Sequence, residues 1–136
     1  MFINFNEKFI SISSNPSGAD IVINDQNKGK TPVIVNLKRD LDYTVKIALP
    51  GYMPYELNLV SKVDGWIIGN IVFGGLIGLI VDAASGGMYK LTPDQVHAEL
   101  RKGDVYIQKG NNIYIAVVMK VDPTWVKIGT LQKLNN

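Results

Sequence analysis

Cysteine is absent from this chain of 136 residues. That excludes disulfides, thiol catalysis and cysteine-based zinc sites, and it is compatible with either side of a membrane. Histidine occurs once, as His97, which leaves too few imidazoles for a transition-metal centre. Charge is sparse and balanced, with Lys+Arg 14 against Asp+Glu 12, and the lysines are scattered rather than blocked. No patch suited to nucleic acid or an anionic membrane follows from such a distribution, and no nucleic-acid partner is expected. Met1-Phe2-Ile3-Asn4-Phe5 lacks a basic region followed by an apolar one, so no signal peptide is read there. The expectation is a cytoplasmic protein, or one whose leader has been removed. Phosphate loops are missing too: Gly29-Lys30-Thr31 has no upstream glycine. Asp20, Asp25, Asp40 and Asp42 lack EF-hand spacing and read as strand-end charges. No metal and no cofactor is expected.

What the chain does have is length for one ordinary domain and an apolar fraction of 46%, enough for a core that needs no staple. The N-terminal half alternates with period two. Ile10 and Ile12 stand against Ser11 and Ser13, and Ile21 and Ile23 against Asp20, Val22 and Asn24. Val33-Ile34-Val35-Asn36-Leu37, then Tyr43, Val45, Ile47 and Leu49, then Tyr55, Leu57 and Leu59 continue the series. Turn chemistry separates the runs at Asn15-Pro16-Ser17-Gly18, at the polar loop 24–29 and at Pro50-Gly51. About five short strands spaced in this way predict a small antiparallel sandwich.

The same residues carry a resemblance. Asn15-Pro16-Ser17-Gly18-Ala19, Ile21-x-Ile23-Asn24, Gly29-x-Thr31-Pro32, Leu37, Tyr43-x-Val45-x-Ile47 and Gly51-Tyr52 resemble the PEGA domain over roughly residues 9–60. That is a small β-sandwich module of bacterial cell-surface and envelope proteins. The chain departs from it in the longer loop 24–29, where the domain usually has an Asn-Gly hairpin, and in Asp42, where glycine is frequent. The resemblance implies a binding or spacer module with no catalytic residues to carry over.

The centre of the chain is a run of apolar residues and glycine, 66–81, with Asn70 as its one polar side chain. As a single helix it would span roughly 24 Å at about 1.5 Å per residue. A bilayer core needs roughly 30 Å, so the run is short for a transmembrane helix. Interior glycines cost about 1 kcal/mol each in a helix, while the Gly65/Gly69 and Gly74/Gly78 spacings would let two helices approach closely. The expectation is a broken helix or helical hairpin, kinked at Gly74-Gly75 and packed on the sandwich. A membrane-touching or self-associating segment and a buried strand pair remain as alternatives. Gly65-Trp66, Gly69-Asn70, Phe73-Gly74-Gly75, Ile77-Gly78, Val81-Asp82-Ala83-Ala84 and Met88-Tyr89 resemble a segment that follows PEGA-type domains in small lipoproteins of Gram-negative bacteria. Such proteins carry a leader and a lipid-acceptor cysteine, which residues 1–136 lack, so envelope anchoring is implied by resemblance alone.

In the last third, Thr92-Pro93-Asp94-Gln95 has the makings of a helix start. Yet Val96, Ala98 and Leu100 alternate with His97, Glu99 and Arg101, and a strand is expected, as in the lipoprotein-like relatives. Val105-x-Ile107, the turn 109–112 and the run 113–120 predict a hairpin, and Trp125-Val126-Lys127-Ile128 a last strand. An enzyme would have to use His97 as base, Glu99 or Asp94 as its orienter and Ser85 as nucleophile. None of these lies in a recognisable motif, and no enzyme is expected. Tyr52, Tyr55, Tyr89, Tyr106, Tyr114, Trp66 and Trp125 are expected to fill the core rather than to line a binding face.

These observations combine into a mainly β protein with a helical insert. Residues 1–62 are expected to form a PEGA-like β-sandwich and 63–90 a glycine-rich apolar helical insert. Residues 91–136 would supply C-terminal strands, including a β-hairpin, that join the sheet or form a small subdomain. The expected role is a non-catalytic cell-envelope module in binding, scaffolding or spacing near the outer membrane or cell wall, with an envelope protein or glycan as partner. The alternative is membrane insertion or homo-oligomer formation through residues 65–85, with Gly65, Trp66, Gly69, Gly74, Gly75 and Gly78 as its candidate residues.

Overall fold

The computed structural model describes residues 7–38, 40–52, 54–62, 65–68, 71–73, 77–102 and 113–131. In chain order these form β1 (Glu7–Ser14), β2 (Asp20–Ile23), β3 (Gln26–Lys30), β4 (Val33–Lys38), β5 (Tyr43–Ala48) and β6 (Tyr55–Lys62). Then come β7 (Gly65–Ile68), β8 (Ile71–Phe73), β9 (Ile77–Asp82), β10 (Gly87–Leu91), α1 (Pro93–Lys102), β11 (Ile113–Val118) and β12 (Val126–Thr130). The strands assemble into two six-stranded sheets, ordered β12-β10-β9-β11-β1-β4 and β3-β2-β5-β6-β7-β8. The fold is mainly β, as the alternating N-terminal half indicates.

The facing sides of the two sheets share one apolar core. Ile10, Ile12, Val35 and Leu37 from β1 and β4 meet Ile21, Ile23, Val45, Ile47, Leu57 and Leu59 from β2, β5 and β6. These are the inward members of the period-two patterns, and their outward alternates are mostly polar, with Val22, Ile34 and Val60 as apolar exceptions. The β2–β3 turn is tighter than the sequence suggests. Ile23 pairs with Gln26, so Asn24 and Asp25 alone make the turn, both with positive φ (48° and 65°). That is the handedness a two-residue hairpin turn needs, and Asn and Asp tolerate it. The expected long loop 24–29 is therefore a two-residue turn followed by β3. Asn24 also ties the turn to β5, accepting from the Thr44 N–H at 2.8 Å.

The glycine-rich stretch is not a helix. Its described residues form β7, β8, β9 and the start of β10, which corrects the expectation of a helical insert over 63–90. Two physical reasons stand out. Each glycine in a helix interior is unfavourable by about 1 kcal/mol. A strand buried on both faces also shows an unbroken apolar run, with no period to tell it from a helix. In β9, Leu79 and Val81 point into the main core, while Ile80 joins a second cluster on the opposite side of the sheet. β7 and β8 pair Trp66 with Phe73 and Ile67 with Val72, and extend the second sheet from the far end of β6. No helix among the described residues is long and apolar enough to cross a membrane.

The second cluster exists because α1 covers the outer face of the first sheet. Val96 of the helix packs with Ile80, Leu91, Tyr114 and Ala116. The strand expected over 96–101 is thus a helix, and its start shows why. Thr92 Oγ1 accepts from the Gln95 N–H at 3.2 Å, and Gln95 Oε1 accepts from the Thr92 N–H at 2.8 Å. This reciprocal capping box, with Pro93 in the first helical position, outweighs a short alternation. Positions 96 and 100 also lie four apart, so they share a helical face as readily as a strand face.

β11 lies between β9 and β1 and is parallel to both. Both of its edges are filled along its length, so it is not one arm of the expected C-terminal hairpin; residues 103–112, the other arm and the turn, lie outside the described residues. A central parallel strand is buried on both faces, which is why Ile113, Tyr114, Ile115, Ala116 and Val117 are all buried.

Candidate functional site

An open cleft of about 390 Å³ lies where the outer face of α1 approaches the connection between β11 and β12. It is lined by Asn15, Glu99, Val118, Met119, Lys120, Val121, Asp122, Pro123 and Trp125. Its size falls within the roughly 300–1,000 Å³ typical of small-ligand clefts. The lining mixes an indole and aliphatic groups with two carboxylates, one amide and one ammonium.

Each lining group is held by local chemistry. Asn15 follows the end of β1, and its N–H donates to the Val117 carbonyl at 2.9 Å, which fixes the wall beside β11. The connection 119–125 turns on Asp122, whose Oδ1 accepts from the Thr124 N–H at 2.8 Å and from the Thr124 hydroxyl at 2.7 Å. The Asp122 carbonyl accepts from the Trp125 N–H at 3.1 Å, closing the turn. Aspartate followed by proline is a strong turn former because its side chain replaces the backbone as acceptor. That turn delivers Trp125 to the cleft with part of its ring seated against the second cluster. Glu99 comes from the second turn of α1.

A buried polar pair lies near the end of β1. Ser13 donates to the Tyr114 hydroxyl at 3.2 Å, and both residues are buried. Burial pushes the Tyr114 phenol above its ordinary range, the charge of Glu99 adds to that, and the Ser13 hydrogen bond works against both.

The residues singled out in the sequence are dispersed. Gly65 and Trp66 lie in β7, and the Trp66 side chain is outside the described residues; Gly69, Gly74 and Gly75 lie outside them entirely. Gly78 sits in β9 directly beneath α1: a β-carbon there would meet Val96 Cγ2 at 2.5 Å and Leu91 Cβ at 2.8 Å. Close approach at Gly78 is real, but what approaches is the chain's own helix. Ser85 has a structural task, donating to Asp82 Oδ2 at 3.0 Å and accepting from the Gly87 N–H at 3.1 Å. Asp94 lies in the first turn of α1 and His97 one turn further on, its side chain outside the described residues.

The aspartates considered for calcium are also dispersed. Asp20 pairs with Lys30 at 2.6 Å, and Asp25 faces Lys46 at 3.9 Å. Asp42 caps the Ser61 N–H at 2.6 Å. Among the described residues no group of three or more histidine, aspartate or glutamate side chains converges on a point. Thr31, in the Gly29-Lys30-Thr31 stretch, accepts from the Gly18 and Ala19 N–H groups and so holds the turn after β1.

The aromatics divide. Tyr55 and Tyr114 are core residues, Tyr55 donating to the Ala83 carbonyl at 2.7 Å. Tyr52 and Tyr89 pack partly buried against the two clusters, and Trp125 does so while also facing the cleft. The cleft itself was not foreseen. Its signal was an aperiodic stretch, Met119-Lys120-Val121-Asp122-Pro123-Thr124-Trp125, in which a large aromatic follows an Asx turn on an exposed loop.

The model of the PEGA domain matches residues 8–59. The matched span coincides with β1 to β6 except for the last residues of β6, and it supports a PEGA domain-containing protein. No curated protein and no solved structure matches the chain.

Proposed function

We propose that this chain is a non-catalytic module of the bacterial cell envelope, acting in binding, scaffolding or spacing near the outer membrane or the cell wall. The match of residues 8–59 to the PEGA domain carries the proposal, because that module is of an extracellular or envelope type. Two features of the structure are in keeping with it. Ser85, the nucleophile that a catalytic reading would recruit, is engaged in holding a turn. The cleft, by contrast, offers a fixed aromatic and mixed polar groups, which suits binding. The resemblance of residues 65–89 to lipoprotein segments favours a periplasmic or outer-membrane-associated location.

The test is fractionation of cells expressing the full-length gene with a C-terminal tag. The product is expected to follow periplasmic or outer-membrane markers; recovery with cytosolic markers overturns the proposal.

One observation favours a second reading, self-association or membrane contact through residues 65–85. Among the described residues β8 is an edge strand, built from Ile71, Val72 and Phe73 with no charge and no proline, whereas the edge strand β3 carries Lys28 and Lys30 and a bulge. Unprotected apolar edges are templates for further strand pairing. The strands β7 and β8 are 4 and 3 residues long, against about 9–11 for a membrane-spanning strand, so contact with a bilayer would be shallow. Light scattering in detergent-free buffer together with liposome flotation decides the matter: a monodisperse monomer that ignores liposomes removes this reading.

A further inference from the structure

We propose that the cleft between α1 and the β11–β12 connection is a saccharide-binding site. In it the Trp125 indole is the stacking platform, and Asn15, Glu99, Lys120 and Asp122 bond hydroxyl groups around it. The inference rests on the reading of the protein as an envelope binding module and gives that module a site and a ligand class.

The chemistry of the lining selects among ligands. Among the described lining residues the charged groups are the carboxylates of Glu99 and Asp122 and the ammonium of Lys120. A purely apolar ligand would strip water from those charges without replacing their hydrogen bonds. A sugar ring has what the cleft asks for: a face of C–H groups to lie on an indole and a rim of hydroxyls that both donate and accept. Carboxylates accept only, ammonium groups donate only, and the Asn15 amide does both, so the rim can satisfy hydroxyls of either orientation. A carboxylate presents about four lone-pair sites. The bonds from Thr124 to Asp122 Oδ1 position that group.

The platform is also pre-organised. Trp125 packs partly buried against the second cluster, and the Asp122 turn fixes its backbone. A rigid aromatic loses little freedom on binding, which leaves more of the stacking energy for affinity. Glu99 is held from the other wall by a helix whose start is fixed by a capping box.

The test uses the purified full chain and three neutral probes: triacetylchitotriose, maltotriose and cellotriose. Binding is read by isothermal titration, and by tryptophan fluorescence in a Trp66→Phe background that leaves Trp125 as sole reporter. At least one probe is expected to bind saturably and to shift the Trp125 emission, with inorganic phosphate failing to compete. Trp125→Ala should weaken that binding by roughly tenfold or more. Because Trp125 also packs against the core, Asn15→Ala and Glu99→Gln provide rim variants, each checked by circular dichroism and expected to weaken binding by a few-fold. No binding of any probe, binding untouched by the folded variants, or competition by phosphate overturns the proposal.

A parallel arm keeps the two readings apart. Retention on insoluble cell-wall sacculi that Trp125→Ala leaves unchanged would remove the cleft while the envelope role stands. A cytosolic location would remove the envelope role while the sugar titration still decides the cleft.

Discussion

The seating of α1 on β9 turns on Gly78, and substituting alanine there tests the arrangement directly. The added methyl would stand 2.5 Å from Val96 Cγ2, 2.8 Å from Leu91 Cβ and 3.1 Å from Leu91 Cδ1. Neither neighbour has room to retreat, since Val96 is 0% and Leu91 1% exposed. Overpacking of this kind costs about 1–3 kcal/mol. Against it stands the reduced backbone entropy of the unfolded chain, a gain of about 0.5–1 kcal/mol for Gly→Ala. The clash wins, and Gly78→Ala should lose about 1–2 kcal/mol, or roughly 3–8 °C in Tm for a chain of this size. Urea denaturation followed by far-ultraviolet circular dichroism measures it. The decisive comparison is the double variant. Val96→Ala alone should destabilise by opening a void, but it removes the atom nearest the new methyl. Combined with Gly78→Ala it should therefore cost clearly less than the sum of the two, a coupling of about 0.5–3 kcal/mol. A neutral or stabilising Gly78→Ala, or strict additivity with Val96→Ala, would refute the packing of α1 over Gly78.

Other expectations follow from single contacts. Tyr55→Phe leaves the buried Ala83 carbonyl without its 2.7 Å donor and should cost about 1–3 kcal/mol in urea denaturation. Thr92→Ala removes the cap of α1 and should cost about 1 kcal/mol, with Thr92→Ser retaining most of it. The phenols of Tyr55 and Tyr114 are both raised above 10.0, each chiefly by burial, so the folded chain holds these protons more tightly than the unfolded chain does. Their contribution to stability is complete below about pH 10 and is lost as pH rises through the folded pKa values. Thermal unfolding from pH 8 to 12 should thus show Tm falling above about pH 10, less steeply in Tyr114→Phe. A chain ending at Lys62 would leave β1 paired with β4 alone and the core side of Ile10 and Ile12 without Ile113 and Ile115. It should give no cooperative thermal transition.

The N-terminal core strands were legible because their core-facing residues alternate with residues outside that core, although Ser11 and Ser13 of β1 are themselves buried. Ile10 and Ile12, Val45 and Ile47, and Leu57 and Leu59 alternate with side chains that stay outside the main core, and the turn residues between them fix the register. Where both faces are buried the pattern disappears. β9 and β11 have no polar alternates, because one side meets the second sheet and the other meets α1 and its neighbours. Read alone, such a run fits a helix or a strand equally well: β9 is a strand where a helix is expected, whereas β11 is a strand as expected over 113–120. Over residues 92–101 the alternation of Val96, Ala98 and Leu100 points to a strand, but the reciprocal hydrogen bonds of the capping box at the helix start are the more specific signal. The cleft was illegible for another reason. Its groups come from β1's exit, from α1 and from the β11–β12 connection, which only the parallel pairing of β1 with β11 brings together.

That pairing also decides what the match to a known module can explain. Residues 8–59 contribute only β1 and β4 to the first sheet, and β1 would be left with an open edge if nothing followed. The later chain fills that edge with β11, adds β9, β10 and β12 beyond it, and lays α1 across the outer face. Of the cleft's polar lining, Asn15 alone belongs to the matched span, while Glu99, Lys120, Asp122 and Trp125 come from the appended chain. The PEGA-like strands therefore act as a platform here. The feature best suited to recognition is built on the other side of β1, by residues that the module itself does not supply. Any activity specific to this protein should accordingly respond to substitutions in 99–125 more than to surface changes on β2, β3 or β5.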